Sequence, residues 1–314
     1  MNWKSIKNFM IILLVAVNVF LAFMLIRQTS MKVYNDQSLS DIKEILLSSG
    51  IIADDEFLTL KTKVLNVYGC NIDKNYASQT ADLLMKYGYA DTFVTPEGIT
   101  FFSKNGDLLK VGNGFEIYYS AAGFSLPEQD GSAIREEEMQ SLNEMLGSLL
   151  LSNSLDNEKY GFIIERTSKT GDILIAHIKQ TVDKIPVGNH HLECIFKEDQ
   201  LLYLNGRWCF LPINENSSAH LLDSVNILFN EKNELDAQKV QDNEKISVSK
   251  DAEATEPSPN TIKVKSMDQC YCSHLSNDGS KLYFIPSWHI EWQEDNIEDT
   301  YYNAINGEKN PFHN

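Results

Sequence analysis

Positive charge is scarce in this 314-residue chain: 27 Lys and Arg stand against 44 Asp and Glu, a net charge of −17. Four of the basic residues and none of the acidic ones lie in residues 1–32, which leaves 23 against 44, or −21, for residues 33–314. Such a surface repels phosphate backbones and anionic headgroups. Nucleic acid is therefore not expected as a partner, and what remains is a cationic partner or plain solubility. Cysteine is also sparse and odd in number: Cys70, Cys194, Cys209, Cys270 and Cys272. A secreted disulfide framework uses an even and denser set, so these read as small buried apolar side chains. A Cys194–Cys209 pair stays open, because spacing does not encode connectivity.

Catalytic and cofactor signatures are missing as well. There is no G-x-G-x-x-G, no G-x-S-x-G and no H-E-x-x-H. In a strand, Cys270, Cys272 and His274 share one face, but C-x-C spacing without a second pair does not supply the four ligands zinc wants. No metal and no cofactor is expected. His190 and His191 fall at a strand start, where one ring faces each way. Ser287, His289 and Glu291 would share a strand face, yet i and i+2 side chains lie nearly 7 Å apart, too far for a nucleophile to reach its base. The expectation is a protein that is not an enzyme.

What the sequence does have is one long apolar run. From Phe9 to Ile26 it carries no charge, and Asn18 is its one strongly polar side chain. As a helix this run rises about 27 Å, close to the roughly 30 Å hydrocarbon core of a bilayer. It exits into Leu25-Ile26-Arg27-Gln28-Thr29-Ser30 with no small-x-small cleavage site directly after it. A retained transmembrane anchor over 9–28 is expected, with a cleaved signal as the rival. The short tail 1–8, with Lys4 and Lys7, reads as the cytoplasmic end, and Trp3 as an interfacial aromatic. That places the chain at the cell membrane as a single-pass protein, its C-terminal domain extracytoplasmic. An amide inside the bilayer seeks a partner helix, and Ala22, one turn beyond Asn18, allows close approach. Self-bonding of Asn18 is the competing account.

Beyond the anchor, periodicity predicts helices over 39–49, 76–87, 133–151 and 218–229. Strands are predicted over 98–103, 108–111, 115–120, 161–165, 173–180, 187–196, 200–204, 207–211, 261–265, 282–292 and 300–303. Asn105-Gly106 and Asn205-Gly206 are hairpin turn signals. Glu136, Glu137 and Glu138 complement the positive end of their helix rather than bind a metal. The repeated order of a helix and then an antiparallel meander predicts an α+β class in two lobes, 33–126 and 127–314. Residues 231–260 have no aromatic, many charges and a Pro-rich end, the composition of a disordered acidic insert.

Three stretches together resemble the YycI/YycH-type regulatory proteins of Gram-positive bacteria, closest to YycI. The first is Met1-Asn2-Trp3-Lys4 ahead of the apolar run, with a helix ending Ser49-Gly50-Ile51. The second is Asp183-Lys184-Ile185-Pro186-Val187 followed by Leu204-Asn205-Gly206-Arg207-Trp208. The third is Phe284-Ile285-Pro286-Ser287-Trp288-His289-Ile290 with Tyr301-Tyr302-Asn303-Ala304-Ile305-Asn306-Gly307-Glu308. The resemblance implies a two-component system role: a non-catalytic regulator of a membrane sensor histidine kinase (WalK/YycG-type) that controls cell-wall turnover. It also implies a YycH-like partner protein and a kinase contact made partly by the membrane helix, which would give Asn18 and Ala22 a role. Pro186, Gly206, Trp208, Pro286, Trp288, Asn303 and Gly307 are then expected as fold determinants. The alternative is an extracytoplasmic binding module for a wall fragment, peptide or lipoprotein.

Overall fold

The computed structural model describes residues 36–127, 132–151, 159–248, 261–294 and 296–310. The chain runs through α1 (Asp36–Ser48), β1 (Ile51–Ile52), the single turn α2 (Asp55–Leu58), β2 (Asn66–Asn71) and α3 (Tyr76–Leu84). A meander follows: β3 (Asp91–Thr95), β4 (Gly98–Phe102), β5 (Leu108–Gly112) and β6 (Glu116–Ser120). After α4 (Glu136–Leu151) come β7 (Tyr160–Thr170), β8 (Ile173–Val182), β9 (Ile185–Lys197), β10 (Gln200–Arg207) and β11 (Asn214–Ser218). The last part is α5 (Ser224–Val248), β12 (Ile262–Leu275), β13 (Lys281–Trp292) and β14 (Thr300–Asn303).

Local chemistry accounts for the helices. In α1 the apolar Ile42 and Leu46 turn inward, and Gly50, at φ 89°, ends the helix with its N–H on the Leu47 carbonyl at 2.9 Å. In α4, Leu142, Leu146 and Leu150 recur every four residues and are buried, while Glu136 to Glu138 occupy the first turn.

The fold class departs from the expectation in three ways. First, the strands do not form two consecutive lobes. They join in one fourteen-stranded sheet, along the path β11-β2-β13-β12-β9-β10-β6-β5-β4-β3. Strands on either side of residue 126 hydrogen-bond to each other, β6 with β10 and β2 with β11 and β13. Second, not every pairing is antiparallel: β12 runs parallel to β1 and meets β9 in parallel through Tyr271 and Val187. Third, no helix among the described residues is long and apolar enough to cross a membrane. The expected span 9–28, with Asn18 and Ala22, lies outside the described residues. The domain is a mixed α+β structure built on one large sheet. Periodicity shows which side chains turn inward. It does not show which distant strand satisfies a free edge, and here those neighbours come from the far end of the chain.

Strand β9 makes the join. Its first residues meet β12 at Val187, and its later ones, from Leu192, meet β10, while β8 pairs along its other side. Two main cores follow from this. The larger gathers Tyr68, Phe101, Leu109, Leu146, Ile178, Trp208 and Phe284 under α3 and α4. The second packs α1, α2 and α5 on β12 and β13 through Leu46, Leu228, Trp288, Ile290 and Tyr302.

The insert expected to be disordered over 231–260 is helical as far as Val248, as the continuation of α5. Leu235 packs on the second core beside α1, and polar contacts add to its hold. Asp236 accepts the Ser49 hydroxyl at 3.0 Å and pairs with Lys232 at 2.7 Å. Lys239 donates to the Ser49 carbonyl at 2.8 Å, beside the end of α1, where carbonyls lack helical partners.

Candidate functional site

Strand β3 is an open edge of the sheet. Val94, Ile99, Val111 and Ile117 lie side by side on the face that the helices cover. Ile117 and Val111 are 1% and 2% exposed, Ile99 is half-buried and Val94 is 69% exposed. The helical cover therefore runs out strand by strand toward β3. On the opposite face, Phe93 of the same strand is 63% exposed. Among the described residues no strand pairs with the outer side of β3, so its N–H and C=O groups point outward between two exposed apolar side chains. An edge of this kind is a template for an added strand.

The uncovered face continues inward from Phe93 as an aromatic band. Phe102 is 39% exposed beside it, and Tyr118 stands edge-on to Tyr203 with ring centroids 5.6 Å apart. Lys110 places its ammonium 5.9 Å from the centre of the Tyr118 ring. A hollow of about 410 Å³ lies on this part of the sheet, lined by Thr95, Thr100, Lys110, Glu116, Tyr118 and Asn205. Arg207 binds Glu116 at 2.6 Å there. Burial raises the Glu116 carboxyl, but the hydrogen bond and charge of Arg207 together with backbone N–H groups outweigh it, and the net shift is downward. On the helix side, a groove of about 980 Å³ opens between α3, α4 and the β9–β10 turn. Lys86, Tyr87, Glu144, Met145, Glu198 and Asp199 line it.

Inside the sheet a polar chain runs from wholly buried groups to the half-buried Ser273. His190 is wholly buried; its Nδ1 bonds Gln180 Oε1 at 2.6 Å and its Nε2 meets the Ser273 hydroxyl at 2.8 Å. Gln180 also accepts the Cys209 N–H at 3.1 Å and donates to the Cys209 carbonyl at 2.8 Å. With Gln180 Oε1 accepting, the imidazole carries a proton on Nδ1. Burial pushes the His190 pKa down to about 3, with Arg207 adding to the shift. His191, the next residue, is exposed, so the two rings do face opposite ways. Cys209 meets the sulfur of Cys70 at 4.0 Å, not that of Cys194. All five cysteines are buried and free.

The other residues singled out in the sequence are scattered. Ser287 is buried and donates to the Ile285 carbonyl at 3.1 Å. His289 bonds Asp299 at 2.9 Å and stacks on Tyr301 at 4.5 Å, while Glu291 takes Lys265 and Ser266. Each side chain serves a different partner, and the three do not converge. His274 hydrogen-bonds Asn310 and sits below its ordinary pKa through burial. No cluster of three or more His, Cys, Asp or Glu among the described residues is arranged to hold a metal.

Pro186 is half-buried opposite Thr181, and Pro286 is buried with its carbonyl accepting the Ala304 N–H at 2.9 Å. Trp208 and Trp288 are each 1% exposed. Gly206 takes φ 141° where a Cβ would lie 2.0 Å from the His191 carbonyl oxygen. Asn303 and Gly307 close the turn after β14, the Gly307 N–H bonding the Asn303 carbonyl at 2.8 Å, and Asn230 of α5 donates to the Gly307 carbonyl at 2.9 Å. The open edge strand β3 is absent from the sequence reading. The one local signal for it is Thr92-Phe93-Val94-Thr95, a β-branched and aromatic run stopped by Pro96.

No protein-family model matches this chain. No curated protein matches it either. A solved structure of an uncharacterized protein from Eubacterium rectale ATCC 33656 matches over 80% of this chain and 86% of its own, at 12% identity and a TM-score of 0.43.

Proposed function

We propose that this chain is a non-catalytic regulator that works by binding other proteins, namely a membrane sensor histidine kinase of WalK/YycG type and a YycH-like partner. Its domain acts at the outer face of the cell membrane. The identity of the partners rests on the sequence resemblance alone. The observation that carries the mode of action is the open edge at β3, where Phe93 and Val94 are exposed on opposite faces of a strand with an unpaired outer side. A partner segment added there gains main-chain hydrogen bonds for affinity and apolar contacts for register. The net charge of −21 over residues 33–314 favours a basic partner segment.

The test is photo-crosslinking in membranes from a crosslinkable residue at position 93. Recovery of a sensor kinase or a YycH-like partner supports the regulator. Capture of neither overturns it. The groove of about 980 Å³ favours a second reading, a binding module for a wall fragment, peptide or lipoprotein. Crosslinks to wall material from Tyr87 and none to protein from position 93 would favour that reading.

A further inference from the structure

We propose that Cys70 and Cys209 are an oxidation site, a thiol pair that closes into one intramolecular disulfide and staples the β10–β11 link to β2. The two residues are far apart in sequence, yet their sulfurs are in contact at 4.0 Å. Cys70 lies on β2 beside Leu282 of β13. Cys209 lies two residues beyond β10, in the link that returns to pair β11 with β2 through Asn214 and Gly69. A bond between them would fasten that link at the place where it comes back to the sheet.

The surroundings prepare the pair for this. The Gln180 side chain holds both the N–H and the carbonyl of Cys209, so the backbone there is fixed. Closing from 4.0 Å to a bond of about 2.05 Å then asks for roughly 1 Å from each side chain by rotation about χ1. The Tyr160 hydroxyl lies 3.6 Å from the Cys209 sulfur, but its proton goes to the Leu211 carbonyl at 2.7 Å. The hydrogen bond between the thiols pushes Cys70 well above the ordinary thiol range, and burial adds to this. Burial most strongly opposes ionisation of Cys209, yet the hydrogen bond from Cys70 and those from its other neighbours together bring Cys209 below its ordinary value. Cys209 is thus the attacking sulfur and Cys70 the resolving one. Cys270 and Cys272 are a poorer pair. At i and i+2 on one strand face their Cβ atoms are spaced by nearly 7 Å of rise, against about 3.8 Å in a disulfide.

The oxidant is a low-molecular-weight disulfide, RSSR. The Cys209 thiolate attacks one sulfur, forms a mixed disulfide and releases RS⁻. Cys70 loses its proton and attacks the Cys209 sulfur, closing the protein disulfide and releasing a second RS⁻. Two protein thiols give up two electrons and two protons, and RSSR becomes two RSH. Entry runs past β11, an edge strand with all five residues exposed and only β2 as a neighbour among the described strands. Fraying of that edge opens the site.

The experiment refolds the full chain across a glutathione redox series, then alkylates and maps it without reduction. Expected is a mass lower by two hydrogens and a single linked peptide joining Cys70 and Cys209. The thiols of Cys194, Cys270 and Cys272 should be alkylated only on denaturation. The thermal midpoint should rise by several degrees on oxidation and fall back with reductant, and Cys209→Ala should abolish both effects. Five free thiols at the oxidised end of the series, or a link elsewhere, overturns the proposal. A Cys70–Cys209 link that leaves the midpoint unchanged overturns the stapling role. The mapping is done on the unsubstituted chain, so it stands even where a Cys variant does not fold.

Discussion

The indole N–H of Trp288 donates to the carbonyl of Leu222 at 2.9 Å. This ties the middle of β13 to the segment that leads into α5, and the Leu222 N–H in turn takes the Ala304 carbonyl at 2.6 Å. Trp288 is therefore both one of the two tryptophans of the second core and the fastening of its helix. Trp288→Phe keeps an aromatic ring but loses the donor and leaves a gap. It should cost about 2–4 kcal/mol of unfolding free energy, read by urea denaturation.

Two glycines with positive φ should respond very differently to an added methyl group. At Gly171, φ 60°, nothing lies within 4 Å of a built Cβ, so Gly171→Ala carries only the backbone cost of about 1–2 kcal/mol. At Gly206 the Cβ would strike the His191 carbonyl oxygen at 2.0 Å, inside the β9–β10 pairing. Gly206→Ala should cost at least twice as much, and equal losses in the two variants would show that the hairpin is looser than its register implies.

Acid should weaken the fold through His190. Its folded pKa of about 3 lies below the ordinary 6.5, so below pH 6.5 the unfolded chain binds a proton that the folded chain refuses. Stability from this group is fully present above about pH 6.5 and is lost as pH falls toward 3, by up to about 1.4 kcal/mol per pH unit. The groups facing it include Gln180, Ser273 and the Phe284 ring, with Arg207 and His191 adding positive potential. His190→Gln should flatten this acid limb relative to the unsubstituted chain, measured by denaturant titrations from pH 7 to pH 4.

At the open edge, Phe93→Lys should leave the fold within about 0.5 kcal/mol, because the side chain is already in solvent. It should nevertheless abolish crosslinking to a partner, since a lysine at an edge opposes strand addition. Unchanged partner capture would move the interaction surface elsewhere.

Much of the local structure was readable from periodicity, and the long-range pairing was not. The repeat of Leu142, Leu146 and Leu150 marked α4, and the Gly106 turn marked the β4–β5 hairpin. Strand β11 is Asn-Glu-Asn-Ser-Ser, a run with no apolar residue, and it is a strand only because β2 offers it an edge. Strand β2 itself has its partners some two hundred residues later, at Lys281 to Phe284. The composition of 231–248 lacks what a core needs, yet Asp236 and Lys239 find Ser49 of the α1 terminus, a contact no local window contains. Likewise, no strand is predicted over Phe93. Its importance comes from standing last in the sheet, a fact of topology alone.

That topology also governs when the molecule can take shape. A ribosome finishes β2 well before its partner β13, whereas β6 waits only for β10, which is complete at Arg207. The meander β3–β6 can pair with β10 while β12 and β13 are still to be made, but β2 stays without β13 until then. Until β13 is made, the edge that β2 keeps for it must be guarded from premature association.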